Sequence, residues 1–375
     1  MAVLFSRQSQ DIQFNEWIDL STLCLAPLIA HIIAGVPSAT FRHPERRPKW
    51  HERMGIFNPT SIIWRYFAIL DRRVRAKSWD ALTMAASNAV FWTSEGWDGS
   101  EAMITKSDEY CLRKPAHTHI DFFSGTSAKT LIVALQGVEA LYTLLLGITS
   151  PKSNKYANLV AFNFVFTPLA IFGLLRLPVA FWLAEDYSFE NVEPRKQDNE
   201  SGDTPIQESE DHLLKHEPVI SVIEHPMRGH AHRGAVLEKD LFHPVNSWRG
   251  LTVRILFLVL LFPLWGITLY YLTPLNGHFY TTTTLLINVF YLIFLTVTLF
   301  ILAAYFFRGV SSTTIIPCVT SRWYKLYTLF LLVLVVVILV ISGLQTRRTP
   351  CGRYTTYPSK DDEDLCPKLF GRTSN

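Results

Sequence analysis

The chain has 375 residues, 35 Lys and Arg against 32 Asp and Glu, and a formal net charge of +3. Apolar residues make up 49% of it and gather into long blocks, which excludes a string of ordinary soluble domains. Its five cysteines form no CxxC pair, which excludes a zinc finger and a dense disulfide framework.

Lipid offers no partners to open backbone groups, so a hydrocarbon core about 30 Å thick needs roughly 20 apolar residues wound as helix. Six stretches qualify, at 18–37, 130–149, 159–184, 251–272, 282–307 and 325–344. The expected fold is therefore all-α, a polytopic bundle of six transmembrane helices. Residues 1–17 precede the first span. Asp11, Glu16 and Asp19 stand where a secretory signal would be basic, and Pro37 spoils a cleavage site, so this span reads as retained. Ala26, Ala30 and Ala34 allow a neighbouring helix to approach closely, beside His31. Pro27, Pro168, Pro178 and Pro263 inside spans predict kinks.

The loop at 38–129 holds five of the ten tryptophans. Between Arg42 and Lys77 it carries ten basic and three acidic residues, a patch suited to anionic lipid headgroups. Asn58-Pro59 reads as an N-cap followed by proline at the first helical position. On the helix it opens, Ile63, Phe67, Leu70 and Val74 share one side, away from Arg65, Arg72 and Arg75. With Arg73 and Lys77, these basic residues predict an amphipathic interfacial helix lying on the membrane surface. The same pattern equally fits a helix packed on the end of the bundle. A membrane-tethered loop is a poor setting for nucleic acid, so no nucleic-acid partner is expected. The apolar run at 81–92 is too short to span and leaves a re-entrant segment open.

Glu139 falls mid-way along the second span and Arg176 within the third. Together with His31 they form a candidate intramembrane polar cluster, because ionisable groups in lipid are costly. It reads either as a proton or substrate site or as a structural ion pair fixing helix register. The segment at 185–250, which opens with 14 acids against 6 bases over 185–247, has the composition of a flexible acidic tether. It joins a first three-span half (18–184) to a second (251–344). His212, His216, His225, His230 and His232 lie in it; their spacing fits a borderline metal such as zinc or iron, and their setting fits a solvated tract with incidental histidines. No cofactor is identified.

Basic residues concentrate on one side of the spans, with 14, 7 and 3 in the segments 38–129, 185–250 and 308–325. By the positive-inside rule that side is cytosolic and both termini are not. Arg347 and Arg348, just past the last span, run against this. The tail at 345–375 then lies where oxidation is permitted, and Cys351 and Cys366 are a candidate disulfide. On the cytosolic side the sequon at 199–201 would go unused.

No phosphate loop, nucleophile elbow, HExxH or dinucleotide fingerprint is present. The stretches CLAPLIAHIIAGVP from Cys24, FNPTSIIWRYFAILDRRVRAKSWD and MAASNAVFWTSEGWDGSEAM resemble an uncharacterised group of multi-span membrane proteins of filamentous fungi. That resemblance covers mainly the first 150 residues and carries no activity, cofactor or site roles. The expected function is non-enzymatic: a transporter-like, scaffold or sensor component of a membrane, which membrane being undetermined. The alternative is a membrane-embedded enzyme, metal-dependent and belonging to a fungal secondary-metabolite pathway.

Overall fold

The apolar blocks become helices that satisfy their own backbone groups, and punctuation residues set where they stop. The computed structural model describes residues 3–4, 7–9, 12–43, 46–149, 161–192, 241–272, 280–310 and 312–359. In chain order these form β1 (Val3–Leu4), α1 (Phe14–Gly35), β2 (Ala39–Phe41), α2 (Trp50–Arg53), α3 (Pro59–Arg75) and α4 (Ala81–Asn88). Next come β3 (Val90–Thr93), β4 (Gly96–Asp98), α5 (Glu101–Lys106), β5 (Cys111–Arg113), α6 (Gly125–Thr149), α7 (Thr167–Gly173) and β6 (Ser188–Phe189). The second half holds α8 (Trp248–Leu272), β7 (Tyr280–Thr281), α9 (Thr282–Phe307), α10 (Arg322–Gln345), β8 (Arg347–Arg348) and β9 (Tyr354–Thr355).

Six helical stretches are long and apolar enough to cross a membrane: Phe14–Gly35, Gly125–Leu145, Phe162–Trp182, Trp248–Leu272, Thr282–Phe307 and Arg322–Gln345. They coincide with the six expected spans. Pro27 and Pro263 sit inside α1 and α8 without interrupting them. The third span is different: α7 passes directly into a nine-residue 3-10 stretch, Leu174–Trp182, which contains Pro178. Proline there has no N–H to give an α ladder, and this span is the most enclosed of the six.

The segment between the first two spans folds into a head against one end of the bundle. β2 runs parallel to β3, and β3 turns back on β4 through a two-residue hairpin. Gly96 closes that hairpin at φ +113°, a conformation that disfavours a side chain. The run at 81–92 is thus neither a span nor re-entrant, but α4 followed by β3. Short sheets were not foreseen in an all-α reading; they account for few residues and all lie outside the spans. Three loop tryptophans hold the head in place. Trp64, Trp92 and Trp97 donate indole N–H groups to the carbonyls of Thr313, Arg46 and Glu52 at 2.8, 2.9 and 2.9 Å.

Both described ends of the acidic segment belong to this head. β6 pairs with β5, and Phe189 and Phe242 share a small core with Ala85, Phe91 and Met103. At the opposite end of the bundle the two chain ends meet. Arg348 pairs with Glu16 at 2.5 Å, Gln8 N donates to Leu344 O at 3.0 Å, and β8 pairs with β9. Arg347 donates to Tyr357 O at 2.7 Å, so both arginines that opposed the charge rule are engaged at their own end. Cys351 is disulfide-bonded, while Cys24, Cys111 and Cys318 are free; Cys366 lies outside the described residues.

Candidate functional site

The densest polar arrangement among the described residues lies where α3 crosses beneath the bundle. Asn58 caps α3, accepting from Thr60 N at 2.9 Å, and Pro59 follows, as the sequence predicts. The helix is not on a lipid surface. Every residue from Thr60 to Arg72 is buried, and Arg75 with them. Arg65, Arg72 and Arg75 are 3%, 0% and 0% exposed, which overturns the membrane-surface assignment for them in favour of packing on the bundle end. Arg73 is half-buried, its guanidinium over Trp79 and Trp182, and Lys77 alone of the five is exposed.

The reason is that both faces of α3 find partners. Phe67 packs on Phe257 of α8 and Phe306 of α9, with ring centroids 5.7 and 4.4 Å away. Ile62 presses on Gly35 so closely that a Cβ there would collide with its side chain. At the start of the helix, Thr60 bonds Thr298 of α9 at 2.9 Å, Ser61 bonds Tyr324 of α10 at 2.7 Å, and Asn58 donates to Thr328 at 2.9 Å. The polar face enters the head. Arg72 donates to Thr314 Oγ1 at 2.7 Å, Ser312 O at 2.9 Å, Ser87 O at 3.4 Å and Gly99 O. It therefore joins the first-half head to the loop between α9 and α10. Burial lowers its pKa to about 10.

Arg75 binds Asp71 at 2.7 Å and Glu101, and donates to Ser312 Oγ at 3.0 Å and His243 O at 2.9 Å. Burial works against its charge, but the two carboxylates outweigh this and hold its pKa above the ordinary value.

Other buried arginines finish helices. The last carbonyls of a helix lack intrahelical donors and carry the negative end of its dipole. On α1, Ala34 O accepts from Arg176 Nη1 and Gly35 O from Arg65 Nη1 at 2.7 Å. On α9, Phe306 O accepts from Arg254 Nη1 at 2.8 Å. The third span ends likewise, with Trp182 O accepting from Asn88 Nδ2 at 2.7 Å. Every span that ends at the head is capped by a side chain from another element.

The expected cluster of His31, Glu139 and Arg176 is not assembled. His31 and Arg176 are each 1% exposed, and Arg176 also donates to Thr130 Oγ1 at 2.8 Å. Glu139 points away from them, on the exposed face of α6. The five histidines at 212, 216, 225, 230 and 232 lie outside the described residues. Among the described residues no group of three or more His, Cys, Asp or Glu side chains could hold a metal.

Two surface features complete the picture. A cleft of about 400 Å³ at the head end of α6 is lined by His117, His119, Asp121, Lys129 and Glu185. An apolar groove of about 670 Å³ runs between α8 and α9 beside Pro263 and Trp265. Neither joins the buried arginines to an activated nucleophile. The chemistry of the junction is that of hydrogen bonds and charge held in fixed positions.

Sequence reasoning missed Glu101, Ser312 and Thr314. The first follows the helix-capping Ser100, and the other two sit in a loop with no periodicity to mark them. Arg254, a cation inside an apolar block, was legible as an anomaly.

Six membrane-length helices, three of which end at the head on carbonyls capped by side chains of other elements, define a multi-pass helical membrane protein. Compared with known protein families, curated proteins and solved structures, nothing matches the chain.

Proposed function

We propose that the protein is a non-enzymatic scaffold of its membrane, with the head on the cytosolic side against an anionic leaflet. The observation that carries this is the lock between halves. Arg72 and Arg75 bind Ser312 and Thr314 of the second half while bonding Ser87, Gly99 and Glu101 of the first. A transporter that alternates access needs its halves to rock against each other, and this junction opposes it. The charge rule supports the orientation. A surface patch supports the lipid partner: Arg47, Lys49, Arg53 and Arg322 are exposed beside Trp50 and Trp323, 71% and 50% exposed.

Spin labels at exposed Lys106, in the first half, and Arg308, in the second, test the lock in the bilayer. One narrow distance distribution, unchanged between pH 5 and 8, is the expected result. Two populations exchanging with conditions would return the protein to the transporters.

A further inference from the structure

Arg65 and Arg176 are buried as neighbours with no carboxylate bonded to either among the described residues. Through Nη1 they donate to consecutive carbonyls of α1, those of Gly35 and Ala34, whose oxygens stand roughly 3–4 Å apart in an α-helix. Their remaining partners are neutral as well: Asn88 Oδ1 accepts from Arg65 at 3.4 Å, and Thr130 Oγ1 from Arg176 at 2.8 Å. Both guanidiniums are enclosed, at 3% and 1% exposure. Burial, and the Arg176 charge besides, hold the pKa of Arg65 below its ordinary value. Arginine does not shed its proton to escape such a setting, so two positive charges stay side by side.

The other buried cations of the junction are offset. Arg72, Arg75 and Arg254 lie in the field of Asp71, and the first two also in that of Glu101. The carboxylate that acts on Arg65 is Glu185, which is bonded to Lys129 at 2.7 Å and 33% exposed. Donors are left over at the pair: Arg65 Nε, Arg176 Nη2 and both ring nitrogens of His31 are buried with no hydrogen-bond partner. His31, 1% exposed, stands one turn before the capped carbonyls on the same side of α1, within the field of Arg176. Tyr66 Oη is also buried and unpartnered, and within the field of Arg65.

We infer that Arg65 and Arg176 hold a small monovalent anion of the chloride type at the head end of α1, flanked by His31 and Tyr66. Such an ion offsets a buried charge and accepts from several donors at once, whereas a water molecule supplies an acceptor and no charge. The α1 carbonyls are already met by the two Nη1 groups, so the ion takes the leftover donors rather than the negative end of the helix. The cleft of about 400 Å³ gives it a way in from water. Met84 and Thr126 line that cleft, and each accepts at 2.9 Å from a residue that holds one of the arginines, Asn88 and Thr130 respectively. The ion then ties α1, α3 and the third span together by charge.

Thermal unfolding of the full-length protein in detergent tests this, in sodium chloride against sodium gluconate of equal ionic strength, gluconate being too large for an enclosed site. Chloride at about 150 mM is expected to raise the midpoint saturably by about 3 °C, and bromide to do the same. Arg65→Gln and Arg176→Gln, each removing one cation, should cut that rise to about a third or less. Arg254→Gln removes a buried arginine that caps α9 instead; it should lower the midpoint and keep the full chloride rise, which separates loss of the site from loss of packing. Crystals of wild type grown in bromide decide the matter even where the arginine variants do not fold, since anomalous scattering should place the ion within hydrogen-bonding distance of both guanidiniums. Equal midpoints in chloride and gluconate, a full chloride rise in both Arg65→Gln and Arg176→Gln, or no bromide at the pair would each overturn the proposal.

Discussion

Arg72 illustrates how a charge can be fully buried without a carboxylate bonded to it. Its guanidinium is a planar fork with five donors, and here it is met by two carbonyls of the first half and a carbonyl and a hydroxyl of the second. Lysine cannot reproduce that fork. Arg72→Met should therefore lower stability by about 3–5 kcal/mol, because the acceptors it leaves behind are also buried. Arg72→Lys should recover less than half of this, and thermal unfolding in detergent would read both. The identity of these residues was visible in the sequence, but their environment was not. Basic residues opposite an apolar stripe look the same whether they meet phosphates or carbonyls, and only the distant Ser312 and Thr314 decide between the two.

At the scale of elements, α3 and the third span show where periodicity is informative and where it stops. The cap, the proline and the apolar stripe place α3 correctly, since these are local properties. Its enclosure depends on Gly35 letting Ile62 come close and on spans arriving from both halves. Gly35→Val should accordingly displace α3 and cost about 1–3 kcal/mol, measurable as a lower denaturation midpoint. The nine-residue 3-10 stretch has no sequence marker beyond Pro178, because spacing alone does not separate it from a kinked α-helix. The exposed charge of the proposed lipid contact likewise sits on and beside α2 and at the start of α10 rather than on α3. Replacing Lys49, Arg53 and Arg322 by glutamine should reduce co-purifying anionic phospholipid about threefold or more, with stability unchanged. Native mass spectrometry would count the lipids retained.

For the whole molecule, the six spans were legible because lipid imposes one simple demand, that a stretch of about 20 residues carry its own backbone hydrogen bonds. The head was not, since it is assembled from the 38–129 segment, both described ends of the acidic segment and the loop after α9, joined by contacts that no local pattern announces. The predicted intramembrane trio failed for a related reason: depth in a span can be read from sequence, but which way a side chain turns depends on the neighbours. His31 and Arg176 turned inward to the end of α1 and its surroundings, and Glu139 turned out.

The account as a whole rests on α3 being a crossbar sealed between bundle and head. Hydrogen–deuterium exchange of the reconstituted full-length protein measures this directly, because amide protection reports enclosure and local opening. Peptides covering Ile62–Arg72 are predicted to exchange as slowly as those of α9. Exchange of that segment within seconds, at the rate of the exposed 116–119 loop, would contradict it.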